Sequence, residues 1–330
     1  MPSRNRHVIA VVVLVPVLAA LALWAFAWPA SRIAPRDLPL GVAGPAAAAT
    51  QVERQLEGHE GAFEIHRYAD EAAARDAIED RSVYGAVVVT AQGPELLTAS
   101  AAGPVVAQFL QQAVAHQAGA EGTQVKTVDV VSTPAGDPRG AVLNAATLPL
   151  ALAGIAAGAV VTLLGLRGFR AVTALLGASA LVGVIAAGIA HSWLGALGGD
   201  WWTEASVLGL STLAVGGAVA GLAALIGPAG TGVGAALVML IGNPFSGATS
   251  APQMLPEPAG AIGQWLPPGA GTTLLRSVSY FDGAAATGPA LTLAWWAVLG
   301  LGAVLLGGSL RARKAGGGPA AERRELSAVA

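Results

Sequence analysis

The sequence predicts a polytopic α-helical membrane protein, with six transmembrane helices and an α/β domain inserted between the first and second. Three observations predict it. Of the 330 residues, 54% are hydrophobic and only 12% charged, against about 25% charged in an ordinary soluble domain. The charge is also segregated, with 22 of the 38 charged side chains in residues 29–140. Finally, six apolar runs lie before and after that region, most of them near the ~20 residues a helix needs to cross hydrocarbon. Cysteine is absent, which excludes disulfides and thiolate metal sites.

The first run, Val8–Trp28, follows Arg4, Arg6 and His7. Ala25-Phe-Ala27 weakly resembles a signal-peptidase site, but the run is longer than a signal-peptide core, so an uncleaved anchor is expected. Pro16 is a candidate kink. Residues 1–28 thus hold a cytoplasmic N-terminus and the first span.

Residues 29–140 read as an extracytoplasmic α/β domain. Leu38–Pro45 is an apolar strand ending at a turn, and Ala46–Glu57 a helix. Phe63–Tyr68 alternates with period two, as a half-buried strand does. Asp70 can cap a helix whose Ala73, Ala77 and Ile78 form an apolar face. Tyr84–Thr90 and Glu95–Ser100 are further strands, Pro104–Gln117 a helix ended by Gly119, and Val125–Val131 a last strand. Such alternation predicts a mainly parallel or mixed sheet. His59, His66 and His116 are scattered rather than clustered as metal ligands are. The charges of Asp70–Arg81 fit a solvated helix face. No catalytic constellation emerges, and the protein reads as no enzyme, with no cofactor and no nucleic-acid partner.

Residues 141–310 carry the other spans, about Ala141–Leu166, Ala171–Trp193, Ala205–Ile226, Gly230–Ile241 and Thr287–Leu310. None of these intervals contains Asp, Glu, Lys or Arg, so an ion-coupled mechanism is disfavoured. Gly154–Gly158 and Gly217–Gly221 are GxxxG patterns, suited to close helix packing within the chain or to a dimer face. Gly227–Gly232 lacks the Lys-Ser/Thr of a P-loop and reads as a tight turn.

Between the last two spans, Asn243–Gly269 carries six prolines, four glycines and a single charge, Glu257. A solvated loop would be more polar, and six prolines forbid one straight helix. The expectation is a re-entrant or surface hairpin at about 243–283, with short helices at Gln253–Leu255 and Ala259–Trp265 and a surface helix at Thr272–Tyr280. Pro244, Pro256, Trp265, Pro267 and Pro268 are its candidate outer-gate residues. Residues 311–330 read as a cytoplasmic tail, disordered from Ala315.

Six spans put both termini on one side. Arg4, Arg6, Arg167, Arg170, Arg311, Arg313, Lys314, Arg323 and Arg324 then share that side, which the positive-inside rule makes cytoplasmic. The short outer loops carry Asp200, Glu204, Glu257 and Asp282 against Arg276 alone. Trp28, Trp193, Trp201, Trp202 and Trp265 fall near the outer ends, where indoles favour the interface. The expected location is a bacterial cell membrane.

The chain resembles the permease subunits of ABC-2 type exporters, in the branch with a large outer domain between the first two spans, related to the YhgE/Pip-like membrane proteins. The resemblance rests on Leu38–Pro45, on Tyr68-Ala-Asp-Glu-Ala with Ala77–Val89, and on Asn243-Pro-Phe-Ser-Gly247, Met254-Leu-Pro256, Leu266-Pro-Pro-Gly269 and Tyr280-Phe-Asp-Gly283. It implies six spans, a homodimer or related permease heterodimer, contact with membrane lipid, and a separate cytoplasmic ATP-binding subunit driving export of a lipid-like or amphipathic substrate. In such permeases the loop between the second and third spans couples to the ATPase. The matching residues here are Arg167, Phe169 and Arg170. Only seven residues precede Val8, where the family often places an amphipathic helix. That departure leaves an alternative, a non-transporting envelope membrane protein whose outer domain binds a partner or envelope component.

Overall fold

A computed structural model describes residues 2–58, 61–121 and 125–316. His59 and the tail beyond Gly316, including Arg323 and Arg324, lie outside the described residues. The chain forms a helical bundle with a mixed α/β unit seated on one end. Helix α1 (Pro2–Ala30) leads into that unit and runs unbroken through Pro16.

The sheet comprises β1 (Leu38–Ala43), β2 (Phe63–Tyr68), β3 (Gly85–Thr90), β4 (Gly93–Thr98) and β5 (Lys126–Asp129), in the order β2-β1-β3-β4-β5. All neighbours are parallel except β3 and β4, which form an antiparallel hairpin. Helices α2 (Ala46–Glu57), α3 (Glu71–Glu79) and α4 (Pro104–Glu121) cover it. Asp70 caps α3, where Ala73 N donates to Asp70 Oδ1 at 3.0 Å. Strand β4 begins two residues earlier than its sequence pattern suggests, because Gly93 and Pro94 still pair with Thr90 and Val89 across the hairpin. Helix α4 continues past Gly119 to Glu121.

Side-chain alternation divides the sheet into two faces. Leu38, Leu40, Val87 and Leu96 pack with Val106 and Leu110 of α4. Ala43, Ala86, Val88 and Leu97 pack with Ala74, Ala77 and Ile78 of α3.

The bundle holds α5 (Ala141–Leu163), α6 (Gly168–Ala187, extended by a π turn to Trp193), α7 (Trp201–Ile226), α8 (Pro228–Ala236, extended by a π turn to Gly242) and α11 (Thr287–Gly316). Helix α7 is the hub and packs against α5, α6, α8 and α11. Its close approaches are made by glycine. A Cβ on Gly154 would lie 2.7 Å from Val215 Cβ, and one on Gly221 would lie 2.8 Å from Gly300 O. Both GxxxG patterns are therefore used inside the chain, Gly154 and Gly158 against α7, Gly217 and Gly221 against α11.

Among the described residues, five helices are long and apolar enough to cross a membrane: Val8–Ala30, Ala141–Leu163, Gly168–Trp193, Trp201–Ile226 and Thr287–Arg311. Where the sequence suggests a sixth span, at Gly230–Ile241, the structure has the shorter helix Pro228–Gly242. At 1.5 Å per residue it covers roughly 22 Å, less than the ~30 Å hydrocarbon core.

Candidate functional site

Beyond Gly242 the chain builds a cap between bundle and sheet. A 3₁₀ turn (Pro252–Met254) precedes α9 (Ala259–Gln264) and α10 (Pro267–Tyr280). Each proline sits where its fixed φ and missing N–H are tolerated. Pro252 opens the 3₁₀ turn, and Pro267 and Pro268 open α10.

The expected surface helix at Thr272–Tyr280 is a correction. Those residues lie in α10, whose Thr272, Leu274, Leu275, Arg276, Ser277 and Ser279 are buried. Helix α10 packs against α5, α7 and α11, and a helix with bundle neighbours on three sides has no solvent face. Its N-terminal end reaches well into the bundle. Thr272 and Thr147 of α5 are hydroxyl partners at 3.2 Å, and Trp296 Nε1 of α11 donates to Trp265 O at 2.8 Å. Trp296 lies about two and a half turns inside α11, so α9 and α10 form a hairpin with its tip between the helices.

The five expected gate residues separate into two groups. Trp265, Pro267 and Pro268 form the hairpin tip, with Trp265 75% exposed and the prolines buried. Pro244 lies nearer α1, next to Phe245, whose ring meets Trp28 edge-on at 6.1 Å. Pro256 is buried before α9, where its carbonyl accepts from Ala259 N at 2.8 Å. Beside the tip, an apolar groove of about 1260 Å³ runs between α9 and α11, past Trp265, Leu291 and Trp295.

The α/β unit and the cap share their cores. Ala251 and Met254 enter the face built on Leu38 and Val106, and Phe281 enters the face built on Ile78 and Val88. Polar contacts add to this. Ala34 N donates to Met254 O at 3.1 Å, and Tyr84 Oη donates to Gln253 Oε1 at 2.9 Å. Arg81 takes a left-handed backbone (φ +60°) after α3, which aims its side chain at α10. Its Nη1 donates to Thr273 O at 3.1 Å and to Ser277 Oγ, and its guanidinium lies 5.2 Å from the Phe281 ring centroid. Burial lowers its pKa to about 10, so it remains a cation at neutral pH.

Two charged residues that the sequence reading assigned to short outer loops are buried. Arg276 is 4% exposed and donates from Nη2 to Ala248 O at 3.1 Å. Glu204 is fully buried in the first turn of α7, where it accepts from Gly199 N at 2.8 Å and meets His191 Nδ1 at 2.7 Å. Nothing local marks Glu204 as buried, because its partners come from the preceding helix and the turn after it.

The other candidate segment is at the opposite end of the bundle. Arg167 precedes α6 between Gly165 (φ +66°) and Gly168 (φ +53°). Both left-handed positions are open to glycine at little cost. They shape a short turn in which Arg167 and Arg170 are exposed and Phe169 is 78% exposed. The turn is backed by α7 and α11, and Arg311 Nη2 donates to Ala223 O at 3.2 Å behind it.

Comparison with known proteins bears on this architecture. Residues 6–162 match the family model described as ABC-2 family transporter protein. The match takes in most of α1, the whole α/β unit and nearly all of α5. No curated protein and no solved structure matches the chain. The described residues thus hold five helices long and apolar enough to cross a membrane, and over residues 6–162 the chain is similar to the ABC-2 family transporter proteins.

Proposed function

We propose that the chain is the permease subunit of an ABC-2 type exporter, moving a lipid-like or amphipathic substrate with the energy of a separate cytoplasmic ATPase. The observation that carries this reading is the similarity over residues 6–162, because it joins the first span, the sheet unit and the second span in one pattern. In this reading the sheet end faces outward and the Arg167–Arg170 end faces the cytoplasm, as the distribution of Lys and Arg favours. The chain works as a homodimer or with a related permease.

Two features support a division of labour. Phe169, projecting between two exposed arginines from a glycine-shaped turn, suits insertion into a groove of an ATPase. The α9–α10 hairpin suits an outer gate, since Pro267 and Pro268 stiffen the start of a helix that touches three others. Catalytic side chains are not required, because the ATPase supplies the energy and the permease supplies alternating exposure.

The test is purification from native membranes with the full chain as bait. An ATPase should co-purify, and its hydrolysis should be stimulated by the chain. Phe169→Ala should cut that stimulation by about tenfold, with the permease still folded. Failure to recover any ATPase from native membranes would remove the reading.

A further inference from the structure

Arg81 and Arg276 meet at the junction of the sheet unit and the cap. Arg81 follows α3, and its Nη1 donates to Thr273 O at 3.1 Å and to Ser277 Oγ. Positions three and four apart share one side of a helix, so Arg276 neighbours both of those acceptors on α10. Arg276 is itself buried and donates from Nη2 to Ala248 O at 3.1 Å. Its charge acts on Arg81, and the other ionisable groups beside the two are Tyr84 and Tyr280.

No carboxylate offsets this pair of cations. Neither arginine belongs to an ion pair among the described residues. Asp80, next to Arg81, and Asp282, next to its ring partner Phe281, are exposed. The acceptors the two guanidiniums do have are neutral, two carbonyls and a hydroxyl. Buried charges are ordinarily paired, and arginine does not escape the cost by losing its proton.

The guanidiniums also keep donors in reserve. Nε and Nη1 of Arg276, and Nε and Nη2 of Arg81, have no protein acceptor. None of these nitrogens is closed to water, in contrast to the orphaned Asn144 Oδ1 and Ser279 Oγ. The unused donors are therefore within reach of a small ligand.

We propose that this junction binds a phosphate group, held by Arg81 from the sheet unit and by Arg276 from the cap. Guanidinium donors match phosphate oxygens in pairs, and two guanidiniums match the charge of about −2 on a phosphate monoester. A neutral group would leave both cations uncompensated, and a single carboxylate would offset one. The phosphate comes from a lipid headgroup or from free phosphate. Tyr280 Oη donates to Ala196 O at 2.7 Å, which sets this part of α10 beside the turn between α6 and α7. For a bundle that spans a bilayer, that is the depth of the headgroups. The site needs neither transport nor an ATPase, so it stands apart from the export reading.

The full chain in dodecyl maltoside and phosphate-free buffer would be titrated calorimetrically with four probes at matched ionic strength. They are dioctanoyl phosphatidic acid, dioctanoylglycerol, inorganic phosphate and acetate. At least one phosphate probe should bind about tenfold more tightly than dioctanoylglycerol and acetate. Tighter binding of phosphatidic acid than of inorganic phosphate assigns the site to a headgroup, and the reverse, or equality, assigns it to free phosphate. Arg276→Gln and Arg81→Gln should each weaken the binding about tenfold. Arg81→Lys keeps the charge but loses the fork, and should fall between wild type and Arg81→Gln. If Arg276→Gln fails to fold, the half-buried Arg81 variants carry the test, and the comparison of probes needs no variant at all. Equal binding of phosphatidic acid and dioctanoylglycerol, with no binding of inorganic phosphate, overturns the proposal. So does acetate binding as tightly as phosphate. Binding unchanged in folded variants, or no binding of either phosphate probe, also overturns it, since water alone would then solvate the two arginines.

Discussion

His191 Nδ1 and Glu204 Oε2 lie 2.7 Å apart and join the end of α6 to the start of α7, with Glu204 Oε1 also accepting from Gly199 N. The carboxylate therefore organises the whole turn between two long helices. Glu204→Leu should lower stability by about 2–3 kcal/mol, because the Gly199 N–H loses its acceptor as well. Glu204→Gln keeps an acceptor and should cost less. Thermal unfolding of the detergent-solubilised chain checks the order, and equal midpoints for both variants would remove the turn-organising role.

Gly300 and Gly217 bring α11 and α7 into backbone contact. Gly300→Val should destabilise by roughly 2–3 kcal/mol, because a side chain there can be accommodated only if two long helices separate. Gly302, two residues away, faces open space. Gly302→Ala should be neutral or slightly stabilising. Unfolding curves of the pair separate interface packing from a general intolerance of α11.

Asp137 ties the sheet unit to α5, accepting from Ala141 N at 2.8 Å and Val142 N at 2.7 Å. Those amides are unpaired by the helix itself. Asp137→Ala should cost about 1–2 kcal/mol and raise hydrogen exchange at residues 141–143 above that of the rest of α5. Uniform exchange along α5 would contradict a local capping role.

Tyr84 and Gln253 link the sheet to the cap. Tyr84→Phe leaves the Gln253 oxygen unpaired and should cost about 1–2 kcal/mol. Burial raises the Tyr84 pKa above its ordinary value. A folded-state pKa raised in this way means that the stability it contributes is complete below pH ~10 and is lost as pH rises through the raised value. The wild-type advantage over Tyr84→Phe should therefore shrink only in strongly alkaline solution. A difference that varies between pH 6 and 9 would contradict the assignment.

If the hairpin gates an exit, Pro267→Ala should slow transport several-fold while expression changes little, because the first turn of α10 loses its fixed φ. Parallel loss of transport and expression would leave the tip a structural role alone.

Local pattern made much of this protein legible. The period-two run at Phe63–Tyr68, the cap at Asp70 and the apolar lengths of the long helices depend on neighbours in sequence, and each has its counterpart in the structure. The proline cluster announced a broken segment between the last two helices. The partners of that segment were not legible. Arg276 and Glu204 look like loop charges in sequence, and only the return of α10 and the turn at Gly199 bury them. The glycine patterns announce close approach without naming the opposite helix. The tertiary structure alone decides that Gly217 meets Gly300 and that Met254 enters the sheet core. The physical reason is one of range. Periodicity and capping are set within one element, whereas burial and hydrogen-bond satisfaction depend on different elements, near or far in sequence, that meet only in the folded chain.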